Sequence, residues 1–312
     1  MNNSKNRKKI QIIPGIIAAL CIIILISLCY SISDENKHTL TVKMPRDNTP
    51  VIVDNIPSGI DVLKRDGVEL DYSNINDGYV MARYTGNDYR GTIIRLNKDD
   101  KQIHYSLSGQ GNDWTTFPIH ASGKYFIEIG LETNPDRYHF ANKQEVDVEL
   151  TSHISPYIRP NFKCPYNEES AVIKFTQNFL DAKNIYSDED VIYELIDWFK
   201  KSDLQYDYEK KERFSSERKM FPHMAPDEVI ETGKGLCGDF SALLCAMLRS
   251  QNIPAKLIWG RNDAEDKRHG WVSVYHNDEW NDYDPTTLVL QKNRAKINEY
   301  QHLKKYVEYA SF

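Results

Sequence analysis

The stretch that decides the fold is Glu231-Thr232-Gly233-Lys234-Gly235-Leu236-Cys237-Gly238-Asp239-Phe240. Glycines on both sides of Cys237 indicate a tight backbone turn into the apolar helix that follows. From Phe240 onward, apolar residues recur at spacings of three and four, which predicts a helix that buries one face. Asn252 and Pro254 mark its end, because Asn tolerates the left-handed cap conformation and Pro prevents continuation. Cys237 is therefore expected at the helix start on the core-facing side, where amide donors and the helix dipole stabilise a thiolate.

Cys237 alone does not establish chemistry, because a buried cysteine most often serves as a small apolar side chain. The residues downstream favour a reactive role. His269 is predicted to begin a strand and Asp284 to end the next one, so that the two positions face each other in a hairpin. A thiol, an imidazole base and a carboxylate that orients the imidazole can then share one cleft. Asp282 is the alternative carboxylate, and the stop at Pro285 makes Asp284 the better candidate.

Short motifs surround these residues in order along the chain. They are Tyr206-Asp207-Tyr208, Pro226–Glu231, Gly235-Leu236-Cys237-Gly238-Asp239, Ile253-Pro254-Ala255, His269-Gly270-Trp271-Val272, Trp280 and Asp284-Pro285-Thr286. Together they resemble the motif series of the transglutaminase-like superfamily over about residues 168–290. The resemblance implies a papain-like core, in which a helix that carries the cysteine packs on an antiparallel sheet. By motif match it also implies that Cys237 is the nucleophile, His269 the base and Asp284 the acid that orients the imidazole.

The amino terminus predicts a membrane anchor. Four basic residues between Lys5 and Lys9 precede an apolar run over residues 10–32, which is long enough to cross a hydrocarbon core of about 30 Å. The basic residues predict a cytoplasmic tail at 1–9 and a single-pass protein of the cell membrane whose bulk is extracytoplasmic. A cleaved signal peptide is the competing interpretation, but the run is long and no clean Ala-x-Ala site follows. Leu28 is too bulky for a lipoprotein signal at Cys29.

Residues 38–151 have the pattern of an antiparallel β-sandwich domain. Short runs rich in β-branched and aromatic residues alternate with turn signals such as Asn76-Asp77-Gly78. The predicted strands are Thr39–Met44, Tyr79–Tyr84, Thr92–Leu96, Gln102–Leu107, Trp114–Ile119, Lys124–Leu131 and Val146–Leu150. No catalytic pattern is visible in this part of the sequence.

Residues 165–312 are predicted to form the transglutaminase-like domain, after a connector with three prolines. Apolar spacing near 3.6 predicts helices over Glu168–Ala182 and Asp188–Lys201, and Pro226 suits the first turn of a short helix through Thr232. Residues 204–224 are polar and rich in tyrosine, which favours a loop. The fold class is therefore α+β: an N-terminal transmembrane helix, a β-sandwich and a papain-like core.

The overall composition excludes several functional classes. The 312 residues carry a net charge of -6 with a pI near 5.9, which argues against nucleic acid as a partner. A mean hydropathy of -0.58 with one long apolar run excludes a multi-span membrane protein. The five cysteines show neither a Cys-x-x-Cys pair nor zinc-site spacing, and basic neighbours offset the acidic loop at Asp263–Asp266. No metal ion and no cofactor are expected.

Two functions fit the sequence. The first is a membrane-anchored extracytoplasmic cysteine enzyme that acts on peptide or amide bonds through Cys237, His269 and Asp284, by hydrolysis or acyl transfer. Its substrate would be a protein or peptide, with cell-wall peptide as one candidate. The second is a non-catalytic cell-surface module that binds a peptide or another partner. The complete triad favours the enzyme, because a binding module has no need for all three residues.

Overall fold

A computed structural model describes most of the chain after its amino terminus. The described residues are 44–86, 92–98, 101–107, 113–134, 137–217, 224–262, 267–290 and 300–312. Pro45–Phe312 form one compact unit. The predicted tail at 1–9 and the predicted anchor at 10–32 lie outside the described residues, as does nearly all of the predicted strand Thr39–Met44. In the described ranges, no helix combines the length and the apolar character that a membrane crossing requires.

The first half of the described chain contains two antiparallel four-stranded sheets. Their strands are β1 Val62–Arg65, β2 Val68–Asp71, β3 Tyr79–Tyr84, β4 Thr92–Lys98, β5 Lys101–Ser106, β6 Thr115–Pro118, β7 Gly123–Asn134 and β8 Arg137–Val148. Among the described strands, one sheet has the order β1-β2-β3-β6 and the other β5-β4-β7-β8. Tyr105 of β5 stacks on Phe117 of β6 with ring centroids 5.1 Å apart, so side chains of the two sheets share a core. Antiparallel strands are confirmed at each of the predicted strands from Tyr79–Tyr84 to Lys124–Leu131, while Thr39–Met44 stays a prediction.

Two differences from the predicted strands have a physical cause. The hairpin of β1 and β2 was not predicted, because its strands are only four residues long and the turn between them holds charged Asp66. Strand β8 extends over Arg137–Val148, whereas Val146–Leu150 was predicted. Its polar residues alternate with apolar ones, which suits a strand with one exposed face but weakens the apolar signal.

The second half is built around a buried helix. The helices are α1 Ala171–Asp181, α2 Asp188–Lys201, α3 Tyr208–Glu217, α4 Pro226–Thr232, α5 Cys237–Arg249 and α6 Pro285–Leu290. Every residue of α5 after Cys237 is buried, so this helix forms the centre of the core. Helix α2 begins where predicted, and the Asp190 N–H donates to Ser187 Oγ at 3.2 Å. That bond satisfies one of the amide donors that a helix start leaves open.

An antiparallel sheet packs against helix α5. Its strands are β11 Ala255–Asn262, β12 Lys267–His276, β13 Glu279–Tyr283 and β14 Val307–Ser311, and their order in the described chain is β13-β12-β11-β14. A short parallel pair is formed by β9 Gln205–Tyr206 and β10 Lys234–Gly235, and β10 directly precedes α5 in the chain. The predicted arrangement of a cysteine-bearing helix on an antiparallel sheet is thus present.

The prediction of a loop over residues 204–224 is wrong for Tyr208–Glu217, which form helix α3. Asp207 caps this helix, because its Oδ1 accepts the Lys210 N–H at 2.8 Å. The helix has little apolar character, so its sequence gave no periodic signal. It is held instead by Lys210, whose ammonium lies 2.9 Å from the buried carboxylate of Asp239.

An extended segment and one buried arginine join the two halves of the compact unit. In the extended segment, Arg46 donates to Asp188 Oδ1 at 2.8 Å, and Asn55 donates to the Pro160 carbonyl at 2.8 Å. Arg249, at the end of α5, is 0% exposed. Its guanidinium donates to the carbonyl oxygens of Ala255, Arg159 and Phe312 at 2.6 to 2.9 Å. The end of α5, the connector and the last strand are therefore tied at one point.

Candidate active site

Cys237 is the first residue of helix α5 and is partly buried. The turn before it is closed by Asp239, whose Oδ2 accepts the Leu236 N–H at 2.8 Å. Asp239 is 1% exposed, and its Oδ2 also lies 2.9 Å from Lys210 Nζ. Burial raises the pKa of Asp239, against the opposing effects of Lys210 and the Leu236 N–H. Asp239 therefore fixes the backbone turn that presents Cys237.

His269 lies on β12, opposite Gly260 of β11, and Asp284 follows the last residue of β13. The β12–β13 hairpin turns at Asn277 and Asp278, which both have positive φ, at 53° and 62°. Such a pair is typical of a two-residue type I′ turn.

The prediction that His269 and Asp284 face each other directly is wrong by two residues. The hairpin pairs Val272 with Tyr283, so Asp284 falls opposite Trp271 rather than His269. An offset of two keeps both residues on the same face of the sheet, because side chains alternate with a period of two. The two side chains are therefore diagonal neighbours, and they still meet.

The structure brings the imidazole and the carboxylate into hydrogen-bond contact. His269 Nε2 lies 2.9 Å from Asp284 Oδ2. Asp284 is 1% exposed, and the start of α6 holds its carboxylate: Oδ1 accepts the Thr286 and Thr287 N–H groups at 3.0 and 3.2 Å. The Thr287 hydroxyl donates to Oδ2 at 2.7 Å. The carboxylate of Asp284 is thus held in place by groups other than His269, and it can orient the imidazole ring.

His269 also forms a hydrogen bond with Cys237. Because Nε2 is engaged by Asp284, Nδ1 is the nitrogen left for the thiol. Burial lowers the pKa of His269, but the hydrogen bonds and charges of Asp284 and Cys237 outweigh it and raise the pKa to about 10. This arrangement favours an imidazolium between two acidic groups.

The backbone of β12 lies against the start of α5. A Cβ added to Gly270 would lie 3.5 Å from the Gly238 backbone and 3.6 Å from the Cys237 carbonyl carbon, which is ordinary van der Waals contact. Gly238 has no such room, because a Cβ there would lie 2.5 Å from Met224 and 2.9 Å from the ring of Trp259. Gly238 therefore allows the start of α5 to pack against Met224 and strand β11, while Gly270 of β12 lies beside Cys237.

Three tyrosines from two parts of the chain lie beside the site. Tyr306 packs on His269 with ring centroids 5.5 Å apart. Burial and the charge of Cys237 raise the pKa of Tyr206 well above its ordinary value. Burial also raises the pKa of Tyr309, with a further rise from Cys237 and opposing effects of Arg268 and Arg261. Tyr309 is the extra residue of a β-bulge, since Glu308 pairs with Gly260 and Ala310 with Trp259.

The remaining candidate residues lie elsewhere. Asp282 is exposed and pairs with Ser273, so it is not the carboxylate of this site. His276 is half-buried at the end of β12 and is not part of this site. Cys164 and Cys245 are 0% exposed, and burial raises the pKa of both thiols, that of Cys164 to about 11. Across the described residues, no cluster of three or more His, Cys, Asp or Glu side chains could hold a metal ion.

Several residues that shape the site were not identified from the sequence. Asp239 stands at the third position of α5, where an acidic cap is a known signal, so it could have been recognised. Thr287 contacts Asp284 from three residues along the chain, so it could also have been recognised. Lys210 and Tyr309 meet the site only through the tertiary fold. No local pattern marks them.

The comparisons with known proteins agree with this core. Residues 173–285 match the family model of the transglutaminase-like superfamily. A search of curated proteins finds no match. Among solved structures, a candidate cysteine protease from Cytophaga hutchinsonii is 16% identical, with a TM-score of 0.36, over 81% of this chain and 74% of that chain. Red sea bream transglutaminase is 13% identical, with a TM-score of 0.27, over 67% of this chain and 48% of that chain.

At TM-scores below 0.5, neither structural likeness supports an argument about this chain. The family match shows that residues 173–285 form a transglutaminase-like domain. Proteins of this superfamily are generally cysteine-dependent acyltransferases or proteases that act on protein or peptide substrates.

Proposed function

We propose that the transglutaminase-like domain at residues 173–285 is the catalytic part of a membrane-anchored cysteine enzyme that cleaves or transfers peptide or amide bonds outside the cytoplasm. One observation carries the proposal. A single imidazole, His269, is bonded to a fixed carboxylate at 2.9 Å and to the thiol of Cys237 at a helix start. A nucleophile, a base and an orienting acid in that order form the arrangement that covalent acyl chemistry requires.

The proposed reaction assigns one role to each of the three residues. Because its pKa is raised to about 10, His269 already holds the thiol proton as an imidazolium at neutral pH, and the thiolate of Cys237 attacks the substrate carbonyl carbon. The carbon–nitrogen bond then breaks, the imidazolium gives its proton to the leaving amine, and a thioester remains on Cys237. Water or a second amine attacks that thioester, His269 takes the proton of the attacking group, and the thiol is restored. Asp284 keeps the ring oriented and stabilises its positive charge.

The negative charge that develops on the carbonyl oxygen needs hydrogen-bond donors. The backbone N–H of Cys237 is a candidate, because the first amides of a helix have no partner within the helix and point along its axis. The choice between water and an amine as the second reactant is the choice between hydrolysis and crosslinking. We propose a protein or peptide substrate, with cell-wall peptide as the first candidate, since the apolar run at residues 10–32 would place the domain at the cell surface.

Trapping of the acyl-enzyme tests the proposal. The full chain is incubated with a library of peptides and cell-wall peptides, quenched in acid and mapped by mass spectrometry. We expect an acyl adduct on Cys237 that Cys237→Ala lacks, with Cys245→Ala as the matched control that retains it. A library that leaves Cys237 unmodified, while a neutral alkylating reagent still labels it, would favour the non-catalytic binding module.

A further inference from the structure

Tyr206 lies beside the site but has no part in the chemistry proposed for Cys237. It is the last residue of β9, which pairs in parallel with β10, the strand that leads into α5. In that pair Tyr206 lies opposite Gly235, and the N–H of the next residue, Asp207, donates to the Gly235 carbonyl at 3.0 Å. Strand pairing therefore holds Tyr206 beside the turn that presents Cys237.

The side chains of Tyr206 and Cys237 project from the same face of this strand pair. Residues directly opposite each other in paired strands project to the same side, and along an extended chain the side alternates. Leu236 has an extended backbone, with φ of -97° and ψ of 177°, so Cys237 returns to the face of Gly235. Because Gly235 has no side chain, nothing from that position separates the phenol of Tyr206 from the thiol.

The phenol of Tyr206 is placed and protonated as a hydrogen-bond donor. Burial is the largest cause of its raised pKa, and the charge of Cys237 is the next. The hydroxyl therefore keeps its proton at neutral pH. Among the described residues it has no hydrogen-bond partner, and it is not one of the buried polar atoms that lack one. The hydroxyl is thus open to a substrate bound at Cys237.

The other two tyrosines beside the site have different surroundings. Tyr306 packs on the ring of His269. The charge of Arg268 affects the pKa of Tyr309 more than that of Cys237 does. For the tyrosine of β9, no charge in the described part of the chain has a larger effect than that of Cys237. It is therefore the best placed of the three to contact a group bound at the sulfur.

The amide groups at the start of α5 favour the same location for a substrate carbonyl. The first amides of a helix have no partner within the helix and point out of its start along the axis. Strand β10 leads into this start, and β9 lies beside β10. A carbonyl oxygen bound by the Cys237 N–H would therefore lie near the end of β9, where Tyr206 stands.

We propose that the Tyr206 hydroxyl donates a second hydrogen bond to the substrate carbonyl oxygen, beside the bond from the Cys237 N–H. This inference rests on the proposed acyl chemistry and supplies a donor that it needs. As the sulfur attacks, negative charge moves onto the oxygen and the hydrogen bond strengthens. The proton stays on Tyr206, and the carbonyl re-forms when the carbon–nitrogen bond breaks. Tyr206 is then a catalytic residue that stabilises the oxyanion and does not activate the thiol.

Two reactions of the same sulfur test this role. 4-Nitrophenyl acetate acylates a thiol through a tetrahedral oxyanion, whereas iodoacetamide alkylates it by displacement at a saturated carbon and forms no oxyanion. Both rates are measured at Cys237 in the full chain, with the adducts mapped by mass. We expect Tyr206→Phe to slow acylation about 10²-fold, the lower end of the loss typical of one oxyanion donor, and to leave alkylation unchanged.

Tyr208→Phe is the matched control for the loss of a hydroxyl. Its ring is 62% exposed and meets the Tyr206 ring edge-on, with centroids 5.1 Å apart, so it should match the wild type in both reactions. Equal acylation of the wild type and Tyr206→Phe would overturn this inference alone. Equal slowing of both reactions in Tyr206→Phe would also overturn it, because the residue would then act on the thiol or on the fold. No acylation of Cys237 in the wild type would overturn the proposed function, and this inference with it.

Discussion

At the scale of single residues, the three members of the site should differ in what their loss does. Cys237→Ala and His269→Ala each remove a reacting group, so amide turnover should fall to background while the protein stays folded. Asp284→Asn keeps both reacting groups but loses the charge that orients the ring. Residual activity, reduced about 10²- to 10⁴-fold, should therefore remain. The activity is measured on the peptide that acylates Cys237, with Asp282→Asn as the control that retains wild-type turnover. Wild-type activity in Cys237→Ala would exclude this mechanism.

The protonation of His269 provides a prediction that needs no substrate. Its pKa is raised to about 10 in the folded protein, against an ordinary value near 6.5. NMR of ring-labelled histidine should show a midpoint near 10 in the wild type. In Asp284→Asn the midpoint should fall well below 10, because burial still lowers the pKa and the largest opposing effect is lost, while Cys237 still raises it. A wild-type midpoint near 6.5 would contradict the geometry.

The raised pKa of His269 also determines how this residue's contribution to the free energy of unfolding changes with pH. A group whose pKa is higher in the folded state stabilises the fold fully below its unfolded pKa. The contribution of His269 to the free energy of unfolding should therefore be complete below about pH 6.5 and be lost as the pH rises through about 10. Denaturant titrations of the wild type and His269→Ala should differ most at pH 6 and converge toward pH 10.

At the scale of elements, the start of helix α5 depends on a buried ion pair. Asp239→Ala removes the cap of the Leu236 N–H and leaves the Lys210 ammonium, 8% exposed, with Glu228 at 3.4 Å as its remaining ion-pair partner among the described residues. Loss of one partner of a buried pair typically costs about 3–5 kcal/mol. The more distant Glu228 should reduce that, so we expect a loss near 3 kcal/mol in denaturant titrations.

The control for this prediction is Asp203→Ala, an exposed site where changes usually stay within about 0.5 kcal/mol. Asp239→Ala should also slow alkylation of Cys237, since the turn that presents the thiol is loosened. If Asp239→Ala were as stable as Asp203→Ala, the ion pair would not hold the helix start.

Local signals predicted some elements closely and could not predict others. Helices α2 and α4 have the predicted bounds, because Ser187 caps one and Pro226 begins the other. Asn252, expected to end the cysteine helix, does adopt positive φ at 58°, three residues after the last helical residue, Arg249. Helix α3 and strand β14 were missed, because each depends on partners distant in sequence rather than on its own apolar pattern.

In the candidate site, too, local sequence signals predicted some features and could not predict others. Cys237, His269 and Asp284 were predicted from motif order, and the structure brings all three together. The hairpin register was not predictable to better than two residues, because it is set by the turn at Asn277 and Asp278 and not by either site residue. The division into domains at 38–151 and 165–312 stays a prediction.

At the scale of the whole molecule, Arg249 joins parts that are far apart in sequence. Arg249→Met would leave the carbonyls of Ala255 and Arg159 without this donor, while the Phe312 oxygen keeps the Leu257 N–H at 2.9 Å. Each buried acceptor left unpaired costs about 1–3 kcal/mol. We expect a total loss of at least about 2 kcal/mol by denaturant titration, against little change for the exposed Arg137→Met of β8. Equal stability of the two variants would show that the tie is dispensable.

The membrane topology is also a property of the whole chain. Residues 33–312 should lie outside the cytoplasmic membrane and stay attached to it, because the basic residues before the apolar run at 10–32 favour the cytoplasmic side. Protease added to intact cells should remove this region, and a cytoplasmic marker protein should survive the same treatment. Full protection, or release as a soluble mature form, would exclude the anchor.

Thiol labelling needs no substrate and tests whether Cys237 is an activated nucleophile. The native full chain is treated with a small haloacetamide below about pH 7, where an ordinary thiol is almost entirely protonated, and the labelled peptides are mapped by mass. Among Cys164, Cys237 and Cys245, we expect rapid labelling of Cys237 alone, because the other two are 0% exposed. Labelling should be slower in His269→Ala. Labelling of Cys164 first, or a requirement for denaturant before Cys237 reacts, would show that Cys237 is not an activated nucleophile.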